Sequence, residues 1–383
     1  MIAMPDVISP GPSERPDDDL FADTRYTTIR RLAAGGMGEV FLVLHREMGR
    51  EFVIKVLHER FAGNGQLLDR MRIEAQIMGR LAHAHIVAVV DFGVTRQGRP
   101  FIVMERLVGR TLAAELKERG ALPPPEAVSY VLQLLSALEA AHAVGIVHRD
   151  IKPDNLFLVT GPDGQLTLKV LDFGIARVLP GFGDAAPRPL AVPTDTGLVV
   201  GTPRYVSPEG ALGKRVDERA DVYATGLILY LLLAGRGPFD HLRAETQILG
   251  AHANVQPVAP SAATGGAKRW PSVLDDMVLC ALRKNPDARF QSAKQFREIL
   301  QEFVDMMNAP PGAPASDHGE TAQADSSIPP PAQAEPESKG SSSTGFLHIP
   351  VSTPSLRDLL IFIAIAGATA VVISQVVRVV LRH

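Results

Sequence analysis

The sequence is poor in cysteine and shows no surplus of positive charge. Its single cysteine, Cys280, excludes an intramolecular disulfide framework and a cysteine-based zinc site. We interpret Cys280 as a small buried apolar side chain, with a reactive thiol as the alternative. The 39 Lys and Arg residues stand against 42 Asp and Glu, which gives a net charge of −3. Nucleic-acid-binding proteins usually carry a basic excess, so we expect no nucleic acid among the partners.

The N-terminal residues lack the apolar run of a secretory signal. Residues 1–24 contain four prolines and an acidic run at 17–19, and they predict a flexible leader. A second stretch of low apolar content covers residues 309–356, which hold nine prolines among many Ala, Ser and Gln. Such a composition cannot bury enough surface to fold. We therefore predict a Pro/Ala/Ser-rich linker over residues 306–356.

A long apolar run follows this linker. Residues 359–377 contain no charged side chain, and as a helix they are roughly 28 Å long, close to the thickness of a hydrocarbon core. We predict a transmembrane helix over residues 357–380, with a buried or amphipathic helix docked on the rest of the chain as the alternative. Residues 222–235 are also apolar, but a run of about 14 residues has the length of a buried core helix.

Residues 25–305 have mixed composition and clear periodicity. Short β-rich runs come first, at residues 40–44, 52–57 and 101–104. Helical patterns dominate after Pro123, with apolar side chains at the i, i+3, i+4 and i+7 positions. This order predicts an α+β chain with two lobes, a small β-rich lobe over residues 25–106 and a larger helical lobe over residues 107–305.

Three features of the small lobe indicate a ligand that carries phosphates. Residues 32–40 contain three glycines, which let the backbone approach phosphates closely; a plain hairpin turn is the alternative. Lys55 lies in an apolar strand, where its charge needs a partner or a route to solvent. Glu74, in a helical stretch, is the candidate partner. An exposed lysine and a solvated helix charge are the alternatives for these two residues.

Two segments of the large lobe carry further charged groups. Residues 148–155, with the sequence HRDIKPDN, place a central acid, two cations and an amide within eight residues. The tripeptide DFG at residues 172–174 follows the apolar run 168–171. Such a tripeptide arises easily by chance, so its weight comes from its position about 20 residues after the first segment.

In this order the segments resemble the eukaryotic-type (Hanks-type) serine/threonine protein kinase family, and most of all its bacterial membrane-anchored members. The resemblance covers residues 26–305 and implies the two-lobed protein kinase fold. Residues 201–209 are similar to the family's substrate-docking segment and its Ala-Pro-Glu motif. Asp221 is similar to the residue that starts the central helix of the large lobe. Arg289 is similar to the arginine that pairs with Glu209.

The resemblance also implies a role for each charged group of the small lobe and the catalytic loop. Lys55 would hold the α- and β-phosphates of ATP and pair with Glu74. Asp150 would accept and orient the substrate hydroxyl. Lys152 would contact the γ-phosphate, and its presence favours Ser/Thr over Tyr substrates. Catalysis would then depend mostly on positioning and electrostatics.

ATP and Mg²⁺ (or Mn²⁺) are the cofactors that the resemblance implies. Asn155 and Asp172 would bind the metal ion. The residues that would contact ATP are Leu32, Ala33, Ala34, Gly35, Gly36, Met37, Gly38, Val40, Val53, Lys55, Met104, Glu105 and Leu107. Among them Met104 is similar to the gatekeeper, and backbone groups of Glu105 and Leu107 would hydrogen-bond the adenine edge.

The chain departs from the family pattern at three positions. Ala33 stands where the first glycine of the phosphate-covering loop is usual, so we expect weaker nucleotide handling but not its loss. Val53 replaces the usual alanine of the Val-Ala-Ile-Lys motif, which ends at the strand lysine, and adds bulk over the adenine. Ser207 replaces alanine in the Ala-Pro-Glu motif, which is a mild change.

The resemblance implies regulation through an activation loop over residues 172–209. Arg149 is similar to an arginine that pairs with a phosphorylated residue of this loop. Our hypothesis is that Thr194 and Thr196 are phosphorylated in trans and activate the enzyme; two solvated hydroxyls are the alternative. Thr202 is similar to a residue that hydrogen-bonds the catalytic loop, and we interpret it as structural.

The expected function is transfer of the ATP γ-phosphoryl group to Ser or Thr hydroxyls of protein substrates. The expected location is the cell membrane, with a single C-terminal span, lipid contact through that span and the kinase domain in the cytoplasm. Self-association would then favour trans-autophosphorylation. The alternatives are a pseudokinase that acts as an ATP-binding scaffold and a small-molecule kinase with a related fold.

Overall fold

A computed structural model of the chain describes residues 20–35, 38–63, 65–161, 164–173, 203–266 and 270–308. The strands are β1 (Tyr26–Gly35), β2 (Gly38–His45), β3 (Glu51–Leu57), β4 (Val89–Val94), β5 (Pro100–Glu105), β6 (Gly109–Thr111), β7 (Leu156–Thr160) and β8 (Leu166–Val170). The helices are α1 (Gly65–Arg80), α2 (Leu112–Arg119), α3 (Pro124–Ala143), α4 (Pro208–Ala211), α5 (Arg219–Ala234), α6 (Glu245–Asn254), α7 (Pro260–Ala263), α8 (Ser272–Ala281) and α9 (Ala293–Asn308). A β-rich part therefore precedes a helical part, as predicted.

The first five strands form one antiparallel sheet in the order β1-β2-β3-β5-β4. Successive residues of a strand face opposite sides of a sheet. In β3, Val53 packs on one face with Met71 of α1, while Ile54 and Val56 pack on the other face. Lys55 follows the alternation of Val53 and is only 6% exposed. The register of β3 thus places a buried ammonium on the face that carries α1.

The outer face of this sheet is covered by the residues that precede β1. Phe21 is fully buried, and its ring meets those of Phe41 and Phe101 edge-to-face at 5.6 Å. The flexible leader predicted over residues 1–24 is therefore wrong at its C-terminal end, because residues 20–24 form a packed turn. An aromatic side chain of this size stabilises the fold by removing a large apolar area from water. The composition of residues 1–24 is mostly polar, so it does not indicate that Phe21 is buried.

The large lobe is built around α5. All residues from Ala220 to Leu233 are buried, which confirms the predicted core helix in this region. The helix packs against α3 and α8. It ends at Gly235, whose φ of 74° is the left-handed conformation that glycine adopts without a steric penalty. Asp221, in the first turn of α5, lies beside the loop between α3 and β7.

Two predicted boundaries concern the C-terminal part of the chain. Helix α9 continues to Asn308, so the linker predicted from residue 306 begins inside a helix. Within the part of the chain that the structure describes, no helix combines the length and apolar character needed to cross a bilayer. The predicted transmembrane helix over residues 357–380 lies outside the described residues.

Candidate active site

The loop between α3 and β7 joins three side chains that were predicted to act in catalysis or metal binding. Lys152 Nζ lies 2.6 Å from Asp150 Oδ2. Asn155 Nδ2 donates to the same carboxylate oxygen at 2.9 Å and to the Asp150 carbonyl at 2.8 Å. The Asp150 carboxylate is therefore fixed in orientation beside a positive charge. A general base and an electrostatic stabiliser require these groups in such an arrangement.

The backbone of this loop is held by the buried carboxylate of Asp221. Its Oδ2 accepts a hydrogen bond from the His148 amide and its Oδ1 accepts one from the Arg149 amide, each at 2.8 Å. His142 Nε2 lies 2.8 Å from Oδ2. Arg149 has a φ of 65°, which is uncommon for a residue with a side chain and needs such support. Helix α5 thus fixes the chain one residue before Asp150.

The buried ammonium of Lys55 pairs with Asp172 at 2.8 Å. Burial of the Asp172 carboxyl alone would raise its pKa. The charge and hydrogen bond of Lys55, with smaller contributions from His148 and Lys152, more than offset this effect and hold the pKa below its ordinary value. Asp172 is therefore an ionised carboxylate at neutral pH. The Leu171 amide donates to the Asn155 carbonyl at 2.8 Å, which places Asp172 next to the catalytic loop.

This ion pair differs from the predicted one. Helix α1 does bring Glu74 to a cavity that Met104, Asp172 and Phe173 also line. The ion pair that the structure shows for Lys55 is the one with Asp172. The predicted Lys55–Glu74 pair stays a prediction. A buried ammonium takes the carboxylate that the fold brings closest, and sequence spacing does not show that distance.

The predicted adenine contacts form one apolar cluster. Val40, Val53 and Met104 are buried members of it. The partly buried side chains packed against the cluster include Leu32, Ala33, Leu107 and Leu171. Strand register explains the assembly, because Val40 pairs with Lys55 and Val53 pairs with Met104 on neighbouring strands. The cluster offers a flat heterocycle an apolar pocket next to the Lys55–Asp172 pair.

The described arms of the glycine-rich hairpin pair with each other up to the tip. Ala33 pairs with Val40 and Gly35 pairs with Gly38, and a register shift between Arg31 and Ala33 directly precedes this part of the ladder. Gly38 is required by close packing, since a Cβ there would lie 1.9 Å from the Val56 carbonyl oxygen. Gly36 and Met37, at the tip, lie outside the described residues, and Ala34 belongs to β1.

The strand end that was predicted to contact the adenine edge is tied to β8. The Glu105 amide donates to the Ala88 carbonyl at 3.0 Å. Lys169 Nζ lies 2.6 Å from Glu105 Oε1, and the Ala88 amide donates to that oxygen at 2.8 Å. The position of Glu105 is therefore fixed by both lobes. Lys169 was not singled out from the sequence, where it is one lysine in an apolar run.

The pairing that the resemblance implies for Glu209 and Arg289 is present. Arg289 Nη2 and Nη1 lie 2.7 Å and 3.0 Å from the two carboxylate oxygens of Glu209. The two side chains are 0% and 7% exposed, so the pair is buried. Arg289 also donates to the carbonyls of Arg219, Arg283 and Lys284. This hydrogen-bond network anchors the end of the predicted substrate-docking segment to the core of the large lobe.

The polar groups fit a divalent ion that arrives with a nucleotide. Asn155 directs its amide nitrogen to Asp150, which leaves its amide oxygen, the atom that can coordinate a metal, on the other side. Asp172 supplies an ionised carboxylate. Among the residues that the structure describes, no group of three or more His, Cys, Asp or Glu could hold a metal ion. Mg²⁺ commonly uses one or two protein oxygens together with substrate phosphates, so this small donor set suits it.

Several contributing residues were not assigned a role from the sequence. Leu171 packs against the apolar cluster. His148 Nε2 donates to the Leu171 carbonyl at 2.8 Å, and its ring contacts that of Phe173 at 4.7 Å between centroids. The sequence signal that could have identified Leu171 and His148 is their position in or next to the HRDIKPDN and DFG motifs. Those motifs were interpreted by their charged residues alone. Thr194, Thr196 and Thr202 lie outside the described residues.

Comparison with known proteins agrees with this geometry. The protein kinase domain model matches residues 26–302. The serine/threonine-protein kinase Pkn1 of Myxococcus xanthus is 40% identical over 280 residues, which are 72% of this chain and 38% of Pkn1. PknL of Mycobacterium tuberculosis, also named a serine/threonine-protein kinase, is 35% identical over 298 residues, which are 77% of this chain and 69% of PknL.

The solved structures include a similar fold. The crystal structure of the Mycobacterium tuberculosis PknI kinase domain matches with a TM-score of 0.54 and 29% identity, over 74% of this chain and 96% of that one. The chain spans only 38% of Pkn1 and 57% of the Streptomyces coelicolor kinase PksC, so these relatives contain much that it does not match. The family match nevertheless extends over both lobes, and the chain belongs to the protein kinase family.

Proposed function

We propose that the chain is a serine/threonine protein kinase that transfers the γ-phosphoryl group of ATP to protein hydroxyls. The observation that carries this proposal is the cluster of Asp150, Lys152 and Asn155. Lys152 Nζ and Asn155 Nδ2 both donate to Oδ2 of the Asp150 carboxylate. The Lys55–Asp172 pair lies next to this cluster, because the Leu171 amide donates to the Asn155 carbonyl at 2.8 Å. The names of the relatives, which are serine/threonine-protein kinases, support the same conclusion.

Each group has a defined task in this reaction. Asp150 accepts and orients the substrate hydroxyl, and its bond to Lys152 keeps the carboxylate aimed. Lys152 places a positive charge where the transferred group becomes more negative. Lys55 would hold phosphate oxygens, and Asn155 and Asp172 would supply oxygens to a bound Mg²⁺. When bound, that ion neutralises charge on the phosphates.

A pseudokinase is the second candidate, and the Ala33 departure is what favoured it. Ala33 follows a register shift in β1, but it still pairs with Val40, and the ladder continues from there to Gly35 and Gly38. The charged groups at Asp150 and Asp172 are both oriented by lysines. These observations favour an active enzyme over a scaffold.

The first test distinguishes a protein kinase from a small-molecule kinase and from an ATP-binding scaffold. The full-length chain is incubated with radiolabelled ATP and Mg²⁺, with a generic protein substrate in one series and free amino alcohols or sugars in another. We expect label on Ser and Thr of the protein and none on the small molecules. Label on a small molecule alone would identify a small-molecule kinase. Nucleotide binding without transfer in either series would identify a scaffold.

We further propose activation by phosphorylation of Thr194 and Thr196. Arg149, whose backbone is fixed by Asp221, is the cation that would receive a phosphate. The double variant Thr194→Ala/Thr196→Ala should lower specific activity by about tenfold, because the loop loses charge-assisted hydrogen bonds. It should also abolish the lag that autophosphorylation produces. Thr160→Ala, at an exposed threonine of β7, is the matched control. Unchanged activity and lag in the double variant would contradict the proposal.

Finally, we propose a membrane-bound enzyme with its kinase domain in the cytoplasm, where ATP is available. The uncharged run at residues 359–377 supports a single span that contacts lipid. The full chain should sediment with phosphatidylcholine–phosphatidylglycerol vesicles, and a chain that ends at residue 345 should stay in solution. Autophosphorylation of the full chain should rise with its density on the vesicles, because self-association is then favoured. Equal sedimentation of both chains would contradict the anchor, and a density-independent rate would contradict the role of self-association.

A further inference from the structure

The C-terminal arm of the glycine-rich hairpin is held by a side chain from another part of the sheet. Glu39 directly follows Gly38, and its Oε2 lies 2.8 Å from Nη2 of Arg99. The same guanidinium donates through Nε to the carbonyl of Leu57, the last residue of β3, at 2.9 Å. One arginine therefore ties β2 to the end of β3 at the base of the hairpin tip.

Arg99 is well suited to act as a fixed point. It closes the tight turn between β4 and β5, where the Thr95 amide donates to its carbonyl at 2.8 Å and its own amide donates to Thr95 Oγ1 at 3.2 Å. Its side chain is 13% exposed, whereas that of Arg31, which binds the other oxygen of Glu39, is 61% exposed. The hydrogen bond from Arg99 is the main reason that the pKa of Glu39 lies below its ordinary value. Arg99 is thus the stronger of the two partners.

The N-terminal arm of the same hairpin has its own tie. His58, the residue after β3, places Nε2 2.7 Å from the Gly35 carbonyl oxygen. A carbonyl oxygen only accepts hydrogen bonds, so Nε2 carries the hydrogen. Both ties therefore start near the end of β3, and they reach the residues on either side of the hairpin tip.

We propose that Arg99 and His58 are positioning residues that set the height of the glycine-rich hairpin over the nucleotide phosphates. Backbone groups at such a tip stabilise phosphates only at short range, and a shift of about 1 Å is enough to weaken them strongly. The two ties run to Glu39, to the Leu57 carbonyl and to the Gly35 carbonyl, and neither includes Val53 or Met104 of the apolar cluster. The inference rests on the proposed function, because it requires ATP in the cleft.

The design of the test follows from this separation of phosphates and adenine. Affinities of the full-length chain for Mg²⁺–ATP and for adenosine are measured by isothermal titration. Arg99→Met should weaken ATP binding by about tenfold, because the loss of one charged hydrogen bond corresponds to a change of about that size in affinity. The affinity for adenosine should change by less than about twofold. His58→Leu should act in the same direction, and His58→Gln, which restores an N–H donor, should recover most of the affinity for ATP.

Arg31→Met is the matched control, because it removes an exposed arginine from the same carboxylate. It should leave both affinities unchanged. Equal losses for ATP and adenosine in Arg99→Met would show a general defect of the small lobe and would overturn the inference, as would unchanged ATP affinity in both Arg99→Met and His58→Leu. An unaltered parent chain that binds no ATP would instead contradict the proposed function, which keeps the two failures distinct.

Discussion

Asp150→Asn is expected to lower the rate of phosphoryl transfer by between about a hundredfold and ten-thousandfold, the usual contribution of a positioned acid or base. The amide cannot accept the proton of the substrate hydroxyl. The substitution also removes the negative charge of the carboxylate. In the parent protein, that carboxylate accepts hydrogen bonds from Lys152 at 2.6 Å and from Asn155 at 2.9 Å. A single-turnover assay with radiolabelled ATP measures this loss directly.

Nucleotide binding should survive the Asp150→Asn substitution. The apolar cluster around Val53 and Met104 and the Lys55–Asp172 pair do not include Asp150. ATP affinity should therefore stay within about threefold of the parent value, less than a 1.4 kcal/mol difference. Asp69→Asn, which neutralises an exposed carboxylate on α1, is the control and should leave the rate unchanged. A variant with more than a tenth of the parent rate would contradict the role of Asp150.

Arg289→Met is expected to lower the free energy of unfolding by about 3–5 kcal/mol. The substitution leaves the Glu209 carboxylate, 7% exposed, without its partner inside the protein. Three backbone carbonyls also lose a donor. Breaking one side of a buried pair costs more than the pair contributes, because the remaining charge is not solvated. Urea unfolding followed by circular dichroism measures the change.

A surface pair provides the matched comparison for Arg289. Arg297 lies 2.8 Å from Glu139, and the two side chains are 33% and 32% exposed. Arg297→Met should therefore cost less than about 1 kcal/mol. The double variant Arg289→Met/Glu209→Leu should recover part of the loss, since it removes both charges. Similar losses for Arg289→Met and Arg297→Met would contradict the argument from burial.

The sequence was a good guide where the chemistry is local. Asp150, Lys152 and Asn155 lie within a six-residue stretch, so a short segment already contains the carboxylate, the cation and the amide that meet in the fold. The buried helix α5 could also be predicted, because an apolar run of that length has few alternatives. In both cases the information lies in neighbouring residues.

The sequence was a poor guide where two distant segments have to meet. Phe21 looks like part of a flexible leader, and only the sheet beneath it explains its burial. The tie between Arg99 and Glu39 joins the turn between β4 and β5 to strand β2, and no sequence motif indicates it. Strand order and register decide such contacts, and neither can be inferred from the composition of a short segment.

Lys55 shows both sides of this division. The sequence by itself determined that the chain has a kinase's charged groups in their family order, because each motif is a short local pattern with its own spacing. It also predicted that the lysine in an apolar strand needs a partner or a route to solvent. The tertiary structure alone decided that Lys55 is buried and pairs with Asp172 at 2.8 Å. The physical reason is that an ion pair is selected by distance in a buried site, and that distance is set by how β3, β8 and α1 pack together.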